Sequence, residues 1–519
     1  MAAGLALVIG AGAPAGADTN APGLSSTLDQ ILADTRLDGA QVGVVVRDAE
    51  TGETLYDHNG SLREVPASST KLITSAAAMA LLGPDYRFST DVLTTGSQRG
   101  PVLHGDLYLR GTGDPTMLAE DYDQLAAEIA AAGIHRVDGD LVADDTRFDN
   151  TRLGFSWAWD DEPYYYSSQI SPLTVAPNTD YDAGNVIVHV EPGAAAGDQA
   201  KVSLQPATDY VTIDNRVTTV AAGGARSVDV EREHGTNTIH ITGTMPTNGA
   251  ASDTWSTVSE PTGLAADVFA KALKAHGVKL SGRTRLGEAT PQDAQTLATH
   301  PSMSLKDLLT PFLKLSNNNH AEVLVKAIGY QLKGSGSWSA GLSAIGGFLR
   351  TVGIDPTTLR QVDGSGLSRA DMISPAQFAT LLSAVRSEPW FQDWYDALPI
   401  ACNPDRMGGG TLRSRMCGTP AAVNLHGKTG SMTGVSGLSG YVTDADGRKL
   451  VFSMLSNDYV SSSVKGVEDA VGAALASYSV HSTAAPALRS RSAVEPSSGN
   501  RATDDGAALE CSWLKPATC

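Results

Sequence analysis

The sequence predicts an α+β protein in which one domain of helices and β-hairpins is interrupted by a β-rich insertion of one or two small domains. Three observations carry this. Helical periodicity and a hairpin pattern occupy residues 24–56, and the same mixture returns after 304. Between about 87 and 301 the pattern changes to short alternating strands separated by Gly, Asp and Pro. At 519 residues and 41% apolar content, the chain has material for two or three cores.

Residues 2–13 are small and apolar, and Ala15-Gly16-Ala17 before Asp18 fits a cleavage site, so 1–17 is expected to be a signal peptide, although no Lys or Arg precedes it. Residues 24–36 have helical spacing, and 42–46 with 54–56 flank the turn Glu50-Thr-Gly52 as a hairpin. The run 68–82 is rich in Ala, Leu, Met and Ile without Gly or Pro, which predicts a buried helix beginning at Ser68. Within the insertion, strands are expected at 106–110, 185–191 and 238–242, and two helices ending alike, at Gly133-Ile134 and Gly277-Val278, form a weak internal echo. Helices are expected again at 304–315 and 320–332, and a hairpin at 437–442 and 450–455 around Asp444-Ala-Asp-Gly447. Segments 18–86 and 302–480 therefore form one split domain and 87–301 the insertion. Residues 481–519 have little to bury and are expected to be a disordered tail.

The formal net charge of -19 and pI near 4.9 disfavour a phosphate-backbone binder, so no nucleic-acid partner is expected. No apolar run reaches the ~18 residues of a bilayer span. The four cysteines form two local pairs without a CxxC spacing, and in an exported chain they are expected to be disulfides. Cys402 and Cys417 enclose Gly408-Gly-Gly410, and Cys511 with Cys519 closes the tail.

Three strings stand in fixed order: Ser68-Ser-Thr-Lys71, Ser316-Asn-Asn318 and Lys428-Thr-Gly430. Ser462-x-x-Lys465, Ser512-x-x-Lys515 and Ser498-Gly-Asn500 repeat the first two patterns, but the single KTG leaves one ordered set. A serine hydroxyl needs a base, and Lys71 lies one helical turn beyond Ser68. To act near neutrality its pKa must fall from ~10.4 to ~7, equivalent to about 4 kcal/mol, through burial and a second cation. Lys428 is the expected second cation, and with Thr429 it suits a substrate carboxylate. Ser316 is expected to relay a proton to the leaving amine and Asn318 to orient a substrate amide. The N–H groups of Ser68 and Ser431 are the candidate oxyanion donors, and Gly430 is expected to give the substrate room. His320 with Glu322 lacks the cysteine partners of a zinc deaminase, so His320, like His426, is assigned a structural role and no metal is expected. No G-x-S-x-G elbow is present.

These strings resemble the SxxK, SxN and KTG set of the penicillin-recognising serine enzymes. With Pro66-Ala-Ser-Ser-Thr-Lys71, Gly105-Asp-Leu-Tyr-Leu-Arg-Gly-Thr-Gly-Asp-Pro115, Asp363-Gly-Ser-Gly-Leu-Ser-Arg369 and His426-Gly-Lys-Thr-Gly430, residues 24–478 resemble the D-alanyl-D-alanine carboxypeptidase/endopeptidase family of low-molecular-mass penicillin-binding proteins. Many relatives carry an acidic or other residue where this chain has Asn317. The resemblance implies a β-lactamase/transpeptidase-like domain, an antiparallel sheet with helices on both faces, split after the SxxK helix. It implies an exported hydrolase with an acyl-Ser68 intermediate, acting on peptidoglycan stem peptides, inhibited by β-lactams and needing no cofactor. Trp157, Asp160, Tyr165, Leu367, Arg369 and Met432 are the candidate side-chain pocket, with an ordinary core edge and a solvated acid pair as the alternative. Two other functions stay open at this point: a β-lactamase, disfavoured by the sequence separation of 248 from Ser68 to Ser316, and a non-catalytic β-lactam-sensing or wall-binding protein, which would need none of the strings.

Overall fold

The computed structural model describes residues 22–481. The expected leader 1–17, the tail beyond 481 and the Cys511 and Cys519 pair lie outside the described residues. A five-stranded antiparallel sheet draws on both ends of the chain, in the spatial order Thr54–His58, Gln41–Asp48, Lys449–Asn457, Val435–Thr443, His426–Met432. Both hairpins expected for this domain are present.

The three central strands are buried along almost every residue, which requires cover on both faces. Alternation along the strands supplies it. Val44, Val46, Leu438, Phe452 and Met454 enter a core with Leu24 and Leu28 of helix Pro22–Leu32 and Val467 and Val471 of helix Lys465–Ser477. Val45, Tyr441, Val451 and Leu455 point the other way, into a core with Leu72, Leu308, Phe312, Val323 and Phe378. Helix Lys71–Leu81 runs through this second core, apolar on nearly every side. The helices around it start at caps legible in the sequence: Ser304 accepts the N–H of Asp307, and Ser374 forms a reciprocal box with Gln377.

A third core consists of residues between 92 and 298. Its five-stranded sheet has the order Thr284–Leu286, Leu141–Asp144, Leu107–Gly111, Ser89–Thr94, Gln295–Pro301, with Leu141–Asp144 parallel to both neighbours. The echo in the sequence has a spatial counterpart. Helices Ala119–Ala131 and Pro261–Ala275 each lead to a glycine at positive φ, Gly133 at 81° and Gly277 at 77°. The buried residues Ile134 and Val278 follow, and then the strands Arg136–Val137 and Lys279–Leu280, which pair in parallel. A four-stranded sheet, two three-stranded sheets and one two-stranded sheet make up the rest of the segment. On the strength of this separate core we propose 87–301 as an inserted unit, with 18–86 and 302–480 as the domain it splits.

The segment closed by the Cys402–Cys417 disulfide is tied to the last helix by Arg415. Its guanidinium lies 2.9 Å from Glu468 and 2.7 Å from Asp469, and Glu468, 1% exposed, also accepts the Ser436 hydroxyl at 2.6 Å. Arg415→Met leaves a buried carboxylate without its cation, and denaturation should show a loss of about 3–5 kcal/mol. Adding Glu468→Gln is expected to restore most of it.

Candidate active site

The three strings converge on one groove. Its lining includes Ser68, Tyr165, Tyr166, Asp182, Ser316, Asn317, Asn318, Leu367, Thr411, Thr429, Ser431 and Met432. Ser68 does not begin the α-helix, as its composition predicts, but sits in a 3-10 turn, Ala67–Thr70, that precedes helix Lys71–Leu81. The Ser69 N–H reaches back three residues to the Pro66 carbonyl at 3.2 Å, and Ala67 takes a φ of 46°. This tight, strained turn presents Ser68 at the groove while Lys71 remains fully buried.

The Lys71 ammonium donates to three acceptors: Ser68 Oγ at 2.8 Å, Asn318 Oδ1 at 2.6 Å and the Ser365 carbonyl at 2.8 Å. Its capacity as a donor is thereby filled. Burial pulls its pKa down to about 7, against the carboxyl groups of Glu322, Asp363 and Asp371, which push it upward. Lys428 is depressed as well: burial first and the Lys71 ammonium second hold it well below the ordinary lysine range.

Lys428 lies on the edge strand His426–Met432, fully buried, and donates to Ser316 Oγ and to the Thr429 carbonyl, both at 2.8 Å. Ser316 holds a φ of 59°, a left-handed conformation between helices Leu305–Lys314 and Asn318–Lys333. Asn317 then caps the second helix through the N–H of His320. Gly430 answers to a different need from the one expected. A Cβ there would lie 2.6 Å from the Pro66 carbonyl and 3.0 Å from Ser69 Oγ, so the absent side chain lets the KTG strand pack on the nucleophile turn.

The insertion folds back over the SxN helix. Asn317 donates to the Tyr181 carbonyl at 2.9 Å, Asn318 to the Tyr166 carbonyl at 2.8 Å and Asn319 to Ser168 Oγ at 3.0 Å, while His320 Nε2 lies 3.0 Å from the Tyr181 carbonyl. Asn318 thus has both ends of its amide engaged. Of the expected side-chain pocket, Tyr165, Leu367 and Met432 line the groove, whereas Trp157, Asp160 and Arg369 do not. The Trp157 indole donates to Asp363 at 3.0 Å and meets Trp338 edge-on. Asp160 is exposed, and it is Asp161 that accepts the Tyr166 hydroxyl at 2.8 Å. Arg369 is exposed and donates to the Thr433 carbonyl at 2.7 Å.

Several residues of the site escape motif reasoning. Glu322, fully buried, accepts the N–H groups of Ser365 at 2.7 Å and Gly364 at 2.8 Å and the Trp338 indole at 2.7 Å, fixing the loop whose Ser365 carbonyl holds Lys71. Asp363 closes the same loop by accepting from Gly366 and Ser368, both at 2.7 Å. Thr411 adds a hydroxyl 2.8 Å from that of Thr429. The fixed Asp-Gly-Ser-Gly string is the one sequence signal for this loop. His426 stacks on Tyr395, with ring centroids 4.3 Å apart, and burial drops its pKa to about 4.

Comparison with known proteins supplies the family. A family model described as the D-Ala-D-Ala carboxypeptidase 3 (S13) family matches residues 24–478. The D-alanyl-D-alanine carboxypeptidase of Actinomadura sp. (strain R39) is 45% identical over 496 residues, 95% of this chain and 90% of that protein. The D-alanyl-D-alanine carboxypeptidase DacB of Haemophilus influenzae is 27% identical over 424 residues, 81% of this chain and 86% of that one. Among solved structures, penicillin binding protein 4 (dacB) from Haemophilus influenzae matches with a TM-score of 0.75 at 25% identity, covering 86% of this chain and 97% of that chain. A mixed α+β fold with this ordered set of strings, matched along nearly its whole described length, places the chain in the D-Ala-D-Ala carboxypeptidase 3 (S13) family.

Proposed function

We propose that this protein is a serine D-alanyl-D-alanine carboxypeptidase that cleaves the terminal D-Ala-D-Ala bond of peptidoglycan stem peptides through an acyl-Ser68 intermediate. The observation that carries the reading is the set of partners around Lys71. Asn318 Oδ1 and the Ser365 carbonyl can only accept hydrogen bonds, so a neutral Lys71 can keep donating to both. Its freed lone pair then has one partner able to give a proton, Ser68. Deprotonation of Lys71 therefore turns the same cage into a general base aimed at the nucleophile.

In this reading the N–H groups of Ser68 and Ser431 receive the oxyanion, with the helix dipole behind Ser68. Lys428 and Ser316 pass a proton to the leaving amine, and Asn318 acts by positioning Lys71 and the Tyr166 backbone. An extended substrate adds to the exposed side of the edge strand at Thr429 and Gly430, and its terminal carboxylate meets Thr429. Tyr165, Leu367 and Met432 form the inner wall for the stem-peptide side chain, with Trp157 behind the wall and Asp160 and Arg369 at its outer rim. Endopeptidase action on cross-links would use the same groups. β-Lactams acylate Ser68 as strained mimics of the scissile amide. Export to the cell wall fits the Cys402–Cys417 disulfide. Among the described residues no helix is long and apolar enough to cross a membrane.

Labelling with a fluorescent penicillin, followed by intact mass over time, tests the reading. A Ser68 adduct lasting minutes to hours, together with D-alanine release from diacetyl-Lys-D-Ala-D-Ala, is expected. Decay within seconds would make the protein a β-lactamase, and no adduct would make it a binding protein. Lys71→Ala is expected to slow acylation by about 10²–10⁴-fold, and a normal rate would remove Lys71 as the base.

Because the neutral amine is the active form and burial sets its pKa near 7, acylation should fall about tenfold per pH unit below that value and level off above it. Glu322→Gln removes a carboxyl that pushes Lys71 upward, so the acid limb of that profile should move to lower pH while the maximal rate drops as the Ser365 loop loosens. An unmoved limb would show that Glu322 is not coupled to the base.

A further inference from the structure

The segment between Cys402 and Cys417 touches three different walls of the groove. Gly410, at a φ of 53°, lies so close to the end of helix Leu305–Lys314 that a Cβ would fall 2.3 Å from the Lys314 carbonyl. Arg406 forms a two-bond ion pair with Asp180 of the insertion, at 2.6 and 3.1 Å. Asp180 directly precedes Tyr181 and Asp182, which receive Asn317. The disulfide closes the segment at its base, and the Cys402 N–H bonds the Leu412 carbonyl at 3.0 Å. The residue held between Gly410 and buried Leu412 is Thr411, whose hydroxyl reaches the groove and lies 2.8 Å from that of Thr429.

Two hydroxyls in mutual contact have two protons and use one between them. When Thr429 donates to Thr411, the proton left over belongs to Thr411, and it is the more acidic for the bond it receives. Lys428, which donates to the Thr429 carbonyl, adds a further N–H donor beside the pair. A group that only accepts, with a full negative charge, is the ligand such an arrangement takes.

We infer that Thr411 is a specificity residue, the second hydroxyl of the subsite that binds the carboxylate on the substrate's leaving group, delivered there by the disulfide-closed segment. This rests on the carboxypeptidase reading above. It makes the segment 402–417, which contains no part of the three strings, a determinant of which peptide ends are accepted.

The test compares acylation of Ser68 by a penicillin and by its methyl ester, in wild type, Thr411→Val and Thr411→Ser. Thr411→Val keeps the shape and removes the proton. It is expected to slow acylation by the free acid roughly 10–100-fold, to leave the ester rate within about twofold, and so to collapse the preference for the acid, with Thr411→Ser retaining it. An equal loss on acid and ester would make Thr411 a purely structural residue and overturn the inference. An unchanged acid rate, or a wild type that prefers neither compound, would overturn it as well. Wild-type protein that discriminates acid from ester but releases no D-alanine would refute the carboxypeptidase reading and leave the carboxylate subsite standing.

Discussion

One buried ammonium organises this molecule. Lys71 has no contact with bulk water, and a lysine so placed is tolerated only where each of its protons finds an acceptor. The three acceptors come from three stretches of chain: the nucleophile turn, the start of the SxN helix and the Asp-Gly-Ser-Gly loop. Each stretch is in turn pinned by something else. The turn is pressed against the KTG strand through Gly430, the SxN helix is held by the insertion, and the loop is gripped by Glu322 and Asp363. Burial then does the chemical work as well. It brings the amine near neutrality, in opposition to the acids beneath it, so the packing that makes the site rigid also makes it reactive.

What the sequence reveals of this site follows from the kind of atom involved. Side-chain chemistry leaves a signature: Ser68, Lys71, Ser316, Asn318 and Lys428 are recognisable by type and order, and they do converge. Period-two and helical patterns likewise announce the hairpins and the helices on each face of the sheet. Backbone chemistry leaves almost none. The Ser365 carbonyl is as important to Lys71 as Asn318 is, yet no residue type encodes a carbonyl. Glu322 spends its carboxylate on two backbone N–H groups, and its spacing from His320 imitates a metal motif instead. Gly430 shows the converse, a legible residue with an illegible reason, since only the folded strand reveals that it faces Pro66 and Ser69 rather than open space.

The insertion is more than an addition to a pre-existing site. Four successive residues, Asn317 to His320, meet it through side chains, and it contributes Tyr165, Tyr166 and Asp182 to the groove. Asn317 suits that contact: its amide caps the helix with oxygen and reaches the insertion with nitrogen. A carboxylate could do the first and not the second. Side-chain recognition and the placement of Lys71 are therefore coupled through a single short helix start.

The order of strands in the large sheet has a temporal meaning. Its first hairpin leaves the ribosome early, but Gln41–Asp48 waits for Lys449–Asn457, some four hundred residues later, before it gains its second neighbour. The nucleophile turn waits likewise for Gly430. No amino-terminal fragment that stops short of the last hairpin can assemble the pocket, so a nascent chain is chemically silent until that hairpin has been made. A hydrolase built this way is switched on by the hairpin that closes its sheet.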